Sequence, residues 1–168
     1  MRRFILAAVA AVALAGCASS PPPAPEAPPR AGVQSAGTWA FSFDPGPGLA
    51  SATLTGADGK LLVRMSCQAP RGDLQVNDWT FERAAANPAV SVRFGVGAGV
   101  YPTSGAIGAD GGGRNGLSFS VPSRDPVFRG LNPTASVTIA TPTRTHTLAP
   151  GAAVRLNDVL NSCRATGS

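Results

Sequence analysis

The sequence predicts a mainly β protein, with an antiparallel β-sandwich or barrel-like sheet and one short C-terminal helix. About eight short segments alternate apolar residues with small or polar ones, and this period of two is typical of half-buried strands. Turn-forming residues separate these segments at intervals of roughly eight to twelve residues, as in all-β domains. A helical period occurs near the C-terminal end alone, so a single helix is expected.

The N-terminal segment is first charged and then apolar. Arg2 and Arg3 precede twelve consecutive apolar residues at positions 4–15. A stretch of that length is too short to cross the hydrocarbon core of a bilayer as a helix, whereas it suits the central region of a secretory signal.

Small residues then lead to a cysteine, in the order Leu14-Ala15-Gly16-Cys17. The whole segment resembles the signal peptide and lipobox of bacterial lipoproteins. The resemblance implies removal of residues 1–16 as the signal peptide, a thioether-linked diacylglycerol on Cys17 and acylation of the new N-terminus. The alternative is an incidental cysteine in an ordinary secretory signal or in a single anchoring helix.

Lipidation would decide where the mature protein resides. Stable anchoring needs two or more acyl chains, which a triacylated Cys17 supplies without a spanning segment. Ala18 and Ser19 follow the cysteine, where lipoproteins of enterobacteria carry an aspartate for retention in the inner membrane. The resemblance therefore favours the outer membrane of a diderm bacterium, with the domain on its periplasmic face rather than on the cell surface.

Residues 17–37 are predicted to form a lipidated, proline-rich tether. Six prolines lie between positions 21 and 29, and Val33 is the one sizeable apolar side chain after the cysteine. Such a composition cannot bury enough apolar surface to offset the entropy of ordering, so an extended spacer is expected. The β-rich globular domain is then predicted to span residues 38–168.

The charge of the mature chain is modest. Loss of Arg2 and Arg3 leaves 12 of the 14 basic residues against 9 acidic ones, a net charge of +3. The arginines are scattered singly, without the basic cluster and interleaved aromatic residues of nucleic-acid surfaces. No nucleic-acid partner is expected.

Two cysteines remain once Cys17 carries lipid. Cys67 and Cys163 form an even pair in an oxidising compartment, so a structural disulfide is predicted. A metal pair or a redox couple is the alternative. His146 is the one histidine and the chain has no Cys-x-x-Cys, so further metal ligands are lacking.

The first strand is predicted to begin near Thr38, because Trp39, Phe41 and Phe43 alternate with small residues. Ala57-Asp58-Gly59-Lys60 predicts a hairpin turn, since Asp-Gly tolerates the positive φ that tight hairpins require. Residues 79–86 are ambiguous between strand and helix. Further strands are predicted at residues 50–54, 61–67, 74–76, 90–96, 117–121, 137–139 and 143–148.

The last element is a helix predicted over about residues 157–164. Leu156, Val159, Leu160 and Cys163 fall at positions i, i+3, i+4 and i+7, on one helical face. Asn157 is a suitable N-cap. A bond between Cys163 and the strand that carries Cys67 would staple this helix onto the sheet.

Two glycine-rich stretches do not match nucleotide-binding motifs. Gly95, Gly97 and Gly99 are followed by Val100 where the dinucleotide fingerprint needs its third glycine. Residues 108–116 are predicted to be a flexible loop and lack the Lys-Ser or Lys-Thr pair of a phosphate-binding loop. No cofactor is expected.

A catalytic constellation is hard to assemble. His146 is expected to face solvent in a threonine-rich strand, and no Gly-x-Ser-x-Gly elbow is present to expose a nucleophilic serine. Several of the nine acidic residues lie in predicted turns, so paired-carboxylate chemistry is not indicated. We therefore expect no catalytic residue, no metal site and a protein that is not an enzyme.

A second resemblance concerns the domain itself. The strand segment from Arg64 to Cys67 and the C-terminal helix with its cysteine are similar to small periplasmic β-domains, such as a type VI secretion accessory protein and invasion-associated locus B proteins. The similarity covers two short segments, and no function is carried over from it.

These observations predict a membrane-anchored envelope lipoprotein. Its β-domain is expected to bind a protein or glycan partner, or to serve as a structural accessory component, without catalysis. The alternative is an envelope hydrolase or a carrier of a small ligand, which a serine or an acid beside His146, or a deep apolar pocket, would favour.

Overall fold

The protein curls one sheet around its core. The computed structural model describes residues 32–68, 72–81, 87–109 and 113–165. These residues form ten strands and one α-helix: β1 (Val33–Gln34), β2 (Thr38–Asp44), β3 (Leu49–Thr55), β4 (Leu61–Gln68), β5 (Asp73–Asp78), β6 (Asn87–Val96), β7 (Gly99–Ala109), β8 (Asn115–Pro122), β9 (Val137–Thr141), β10 (Arg144–Thr147) and α1 (Ala152–Ala165).

All ten strands belong to a single sheet, in the order β1-β10-β9-β6-β7-β8-β5-β4-β3-β2. Neighbouring strands are antiparallel, except that β1 runs parallel to β10. The predicted fold class is confirmed, and of its two forms the structure has the barrel-like sheet.

The chain path itself requires the sheet to curl. β1 and β2 lie at opposite edges of the sheet, yet only residues 35–37 separate them in the chain. Because an extended chain spans at most about 3.5 Å per residue, the two edges must approach within about 14 Å at this end. The indole Nε1 of Trp39 donates to the carbonyl of Ala149 at 3.3 Å, which links the β2 edge to the segment after β10. The sheet is therefore a curled half-barrel.

Strand register places the apolar residues on the concave face. Ala50, Cys67 and Leu74 are partners across β3, β4 and β5, and all three are buried. Phe94 and Ile139 are partners in the other half of the sheet. The largest fully buried side chains of this core are Phe94, Leu54, Met65, Leu74, Leu117, Ile139, Leu156, Leu160, His146, Val63, Val76 and Val92.

Helix α1 covers the concave face of β2, β3 and β4. It begins at Ala152, so the predicted start near residue 157 was wrong, and Asn157 is an exposed residue within the helix rather than its N-cap. Ala152 and Ala153 are buried and extend the apolar face by one turn toward the N-terminus. Gly151, at φ +90°, ends the preceding turn in a conformation that suits glycine.

Strand β7 is the main element that the apolar pattern did not predict. Its sequence is rich in glycine and small residues and contains Pro102, which is opposite Arg93 of β6. Strand β8 pairs with β7 only from Ala106 onward, so Pro102 lies where β7 has a single neighbour, as expected for proline in a sheet. Residues 108–109 and 115–116 of the predicted loop continue the β7 and β8 ladder, while residues 110–112 lie outside the described part.

One glycine permits this pairing. A Cβ atom on Gly105 would lie 2.8 Å from the carbonyl oxygen of Ser118 and 3.0 Å from side-chain carbons of Leu117 and Val92. The absence of a side chain at this position lets β8 and the core approach the β7 backbone closely.

The turn predicted at residues 57–60 is present. Gly59 has φ +77°, and the backbone N–H of Gly56 donates to the carbonyl of Lys60 at 2.8 Å. The N–H of Lys60 donates to the Asp58 carboxylate at 3.1 Å. This backbone hydrogen bond, and then one from the Lys60 side chain, hold the pKa of Asp58 below its usual value.

The sheet begins before the predicted end of the tether. Val33 and Gln34 pair with His146 and Thr147, and the N–H of Ser35 donates to the Thr147 carbonyl at 3.2 Å. Val33 is 45% exposed, so backbone pairing rather than apolar burial holds this segment, and composition alone did not reveal it. The remainder of the predicted tether, residues 17–31, lies outside the described residues.

Candidate functional site

His146 is buried, so the prediction that it faces solvent was wrong. Its side chain has no exposed surface. His146 is the register partner of Ile139 on β9, which in turn pairs with Phe94 on β6, and all three lie on the concave face. The threonines beside it in β10 are partly exposed. The polar neighbours therefore belong to the outer face, and the histidine to the core.

A carboxylate meets the imidazole inside the core. Nδ1 of His146 lies 2.5 Å from Oδ2 of Asp78, the last residue of β5, and Asp78 has no exposed surface either. Oδ1 of Asp78 accepts hydrogen bonds from the Thr80 hydroxyl at 2.6 Å and from the Thr80 N–H at 2.9 Å. Both carboxylate oxygens are thus satisfied, as a buried acid requires.

Local sequence explains how Asp78 reaches this position. Leu74 and Val76 point into the core from β5, and Asp78 has the same parity. An aspartate that accepts from the N–H two residues on forms an Asx-turn, which ends the strand and starts the 3₁₀ turn at Trp79–Phe81. Thr80 is therefore part of the turn that orients the carboxylate.

Arg144, on the same strand as His146, also holds this turn. Its Nη1 donates to the carbonyl of Thr80, and its guanidinium carbon lies 5.1 Å from the ring centroid of Phe81. Arg144 and His146 both belong to β10. Strand β10 consequently holds the end of β5 through two side chains that flank Thr145.

The hydrogen bonds assign the proton on the ring. An ionised carboxylate only accepts hydrogen bonds, so Nδ1 of His146 is assigned as the nitrogen that donates to Asp78. Nε2 is buried and has no hydrogen-bond partner among the described residues. The hydroxyl of Thr80 lies 3.2 Å from Nδ1, on the carboxylate side of the ring.

Asp78 and His146 reproduce the aspartate–histidine pair of a hydrolytic triad. An aspartate on Nδ1 orients histidine as a general base in serine hydrolases, where Nε2 takes the proton of the nucleophile. Here the nearby hydroxyl of Thr80 donates to Asp78 instead. What the three side chains do in this structure is join the end of β5 to β10 across the interior of the curled sheet.

Cys67 and Cys163 form a disulfide that joins β4 to the last turns of α1. Their Cα atoms are 5.8 Å apart, within the usual range, and both residues are buried. The predicted staple between helix and sheet is therefore present.

The outer face carries shallow grooves. One of about 270 Å³ lies over β5, β8 and β7 and is lined by Asn77, Trp79, Ala106, Gly108, Ala109, Gly116, Leu117 and Ser118. The guanidinium of Arg114 stacks 5.5 Å from the Trp79 ring, and its Nη2 donates to the Leu61 carbonyl at 3.0 Å. Small and polar side chains dominate this groove, which differs from the deep apolar pocket that would favour a carrier of a small ligand.

Cys17 belongs to residues 1–31, outside the described part of the chain, so its identification comes from comparison with known proteins. Residues 1–18 match the prokaryotic membrane lipoprotein lipid attachment site. This match indicates a membrane-anchored lipoprotein. No curated protein and no solved structure matches the lipoprotein, and the resemblance to type VI secretion accessory and invasion-associated locus B domains is not supported.

Within the described residues of the lipoprotein, none of the helices has the length and apolar character needed to cross a bilayer. The same residues contain no group of three or more metal-ligating side chains.

Sequence reasoning missed Asp78 and Thr80 and misplaced His146. The signals were the inward parity of Asp78 after Leu74 and Val76, and the inward parity of His146 two residues before Leu148. Neither could indicate that residues 68 positions apart would be partners.

Proposed function

We propose that this lipoprotein is a non-enzymatic accessory component of the bacterial envelope. Its acylated Cys17 would hold it to the outer membrane on the periplasmic side, and its β-domain would bind a protein or glycan partner or serve a structural role. The match to a lipid attachment site at residues 1–18 supports the anchor.

One observation carries the non-enzymatic part of the proposal. His146, the residue best suited to general-base work, is committed to a buried hydrogen bond with Asp78 and has no exposed surface. A base must lie within hydrogen-bond reach of the proton that it abstracts, directly or through one water. A position inside the packed core suits a structural cross-connection between strands better than contact with a substrate.

The test separates chemistry from folding. Asp78→Asn combined with His146→Gln replaces the acid and the base by two amides, whose N–H and C=O groups can still hydrogen-bond to each other and to Thr80. In a strain that lacks the lipoprotein, this double variant should restore the envelope phenotype whenever its melting temperature shows a folded domain. Chemical crosslinking of the anchored protein in intact cells, followed by co-purification, should retain the same partners as the wild type.

A folded double variant that keeps its partners but loses the phenotype would contradict the proposal. That result would favour the second candidate function, an envelope hydrolase, which the acid beside His146 supports: the 2.5 Å contact between Asp78 and His146 is the aspartate–histidine pair of a triad. Labelling of the wild type, but not the double variant, by a serine-reactive fluorophosphonate would identify that activity.

Location is tested separately. Density-gradient separation of inner and outer membranes should place the lipoprotein with the outer membrane. Protease added to intact cells should leave the domain uncut if it lies on the periplasmic face. Replacing Ala18, the residue directly after Cys17, by aspartate is the matched variant, since aspartate at this position retains enterobacterial lipoproteins at the inner membrane.

A further inference from the structure

The backbone of strand β2 has one edge without a strand partner among the described residues, although the side chain of Trp39 near the start of this strand donates to the Ala149 carbonyl. All seven residues from Thr38 to Asp44 pair with β3 in continuous register, and no strand of the described chain lies on the other side. An unpaired strand edge presents N–H and C=O groups to any second strand that approaches. β1, at the opposite edge of the sheet, is only two residues long.

Strand β2 has few of the features that protect edge strands. Proline, lysine and bulges block strand addition in natural proteins, and the sequence TWAFSFD contains neither proline nor lysine. Asp44, at its end, is the one charged residue. Five of its seven residues are exposed.

Three aromatic residues form a stripe along this edge. Trp39, Phe41 and Phe43 share the concave face, with Phe43 44% exposed and the other two partly buried. By contrast, four phenylalanines elsewhere in the described sheet and turns are buried: Phe81, Phe94, Phe119 and Phe128. Aromatic pairs across antiparallel strands are among the more favourable contacts in sheets.

Two-fold symmetry restricts how β2 could pair with a copy of itself. In one continuous antiparallel sheet, paired residues lie on the same face, and the two-fold axis must therefore pass through a residue rather than between two residues. An axis at Phe41 uses the whole strand. It places Trp39 opposite Phe43 and Thr38 opposite Asp44, so aromatic residues meet and no like charges face each other.

We propose that this lipoprotein forms a two-fold dimer through antiparallel pairing of β2 with β2 of a second copy, centred on Phe41. The partner is a second copy because in this register the aromatic side chains of the strand meet each other and no like charges are opposed. Anchoring by lipid would confine the copies to one membrane and raise their effective concentration. The inference does not depend on the proposed accessory role.

Cysteine crosslinking between two marked copies tests the register. In a dimer centred on Phe41, Ala40 of one copy lies opposite Ser42 of the other. Both positions are exposed. Lipidated Ala40→Cys and Ser42→Cys proteins, each with its native disulfide, are reconstituted in vesicles of phosphatidylethanolamine and phosphatidylglycerol and oxidised with copper phenanthroline. A dimer band should form when the two variants are mixed, and much less when either is alone.

Matched controls distinguish this pairing from random collision. Ser91→Cys, an exposed position on β6 in the interior of the sheet, should give no dimer band in the same vesicles. Phe43→Lys added to both marked proteins should reduce the band about tenfold. Val100→Lys, at an apolar residue 49% exposed on β7, should leave it unchanged.

Four outcomes would overturn the proposal. The first is crosslinking at Ser91 equal to that of the Ala40 and Ser42 mixture, and the second is a dimer band from either marked variant alone that is as strong as that of the mixture. The third is the absence of a dimer band at every position. The fourth is crosslinking, in native membranes, of Ala40 or Ser42 to another protein instead of a second copy. The last result would assign the edge to a different partner strand.

Discussion

Replacing His146 by alanine is expected to destabilise the domain by about 3–5 kcal/mol, the range for removing the partner of a buried carboxylate. The cost arises from the group left behind. Asp78 has no exposed surface, and its Oδ2 would lose the 2.5 Å hydrogen bond from Nδ1. Oδ1 would keep the two hydrogen bonds from Thr80, so half of the carboxylate would remain satisfied. For a domain of this size the loss corresponds to a fall in Tm of roughly 10–20 °C.

A double-mutant cycle separates the pair from the cavity that truncation creates. Asp78→Ala should cost at least as much as His146→Ala, because it removes the acceptor of three hydrogen bonds. In the double variant no charge is left buried, so its loss should fall short of the sum of the single losses by about 1–3 kcal/mol. Urea titration measures each value. Thr145→Ala, on the outer face of β10, is the control and should change stability by less than about 0.5 kcal/mol.

Two results would refute this reasoning. One is a loss of less than about 1 kcal/mol for His146→Ala, which would mean that the stranded carboxylate finds another partner or water. The other is strict additivity of the two single variants, since residues in one hydrogen-bond network are expected to couple.

Three further predictions concern the anchor, the disulfide and the β7–β8 contact. Cys17→Ser should abolish the incorporation of labelled palmitate and release the protein from membranes or stall its precursor; an unlabelled wild type would contradict the anchor. Replacing both Cys67 and Cys163 by alanine should lower the free energy of unfolding by about 2–5 kcal/mol, since a separation of 96 residues gives roughly 4.7 kcal/mol in the chain-entropy model. Hydrogen exchange should rise first in the last turn of α1. Unchanged exchange there would count against a disulfide that holds the helix to the sheet. Gly105→Ala should lower the free energy of unfolding, measured by denaturant titration, by about 1–3 kcal/mol because its Cβ would meet the Ser118 carbonyl. Gly108→Ala is the control: nothing lies within 4 Å of its Cβ, so stability should change by less than about 0.5 kcal/mol. Equal effects of the two substitutions would refute the close approach at Gly105.

The alternation of apolar residues predicted most of the sheet because burial selects one face of each strand. Strands β2, β3, β4, β5, β6, β8, β9 and β10 all lie where this period occurs, and the Asp-Gly turn lies where positive φ is needed. The apolar alternation did not predict strand β7, because glycine, proline and serine occupy many of its positions. Its pairing depends on backbone hydrogen bonds and on Gly105, neither of which leaves an apolar pattern.

The helix shows how a correct period can give the wrong boundary. Leu156, Val159, Leu160 and Cys163 identified the buried face, and the structure confirms it. Alanine is the best helix former but only weakly apolar, so the apolar period did not indicate that Ala152 and Ala153 belong to the buried face. Within residues 152–164 of the longer helix, six residues are buried and hold it to the sheet beside the disulfide: Ala152, Ala153, Leu156, Val159, Leu160 and Cys163.

For His146, residue type and strand parity give opposite predictions. Residue type assigned the histidine to solvent, while its position two residues before the buried Leu148 assigned it to the core. Asp78 presented the same conflict, since it shares the parity of Leu74 and Val76. Two polar residues at core positions on different strands cannot both remain unsatisfied, because a buried charge needs a partner and a buried donor needs an acceptor. Asp78 accepts the hydrogen bond that His146 donates. Each residue thus satisfies the other, and both can be buried together although neither could be buried alone.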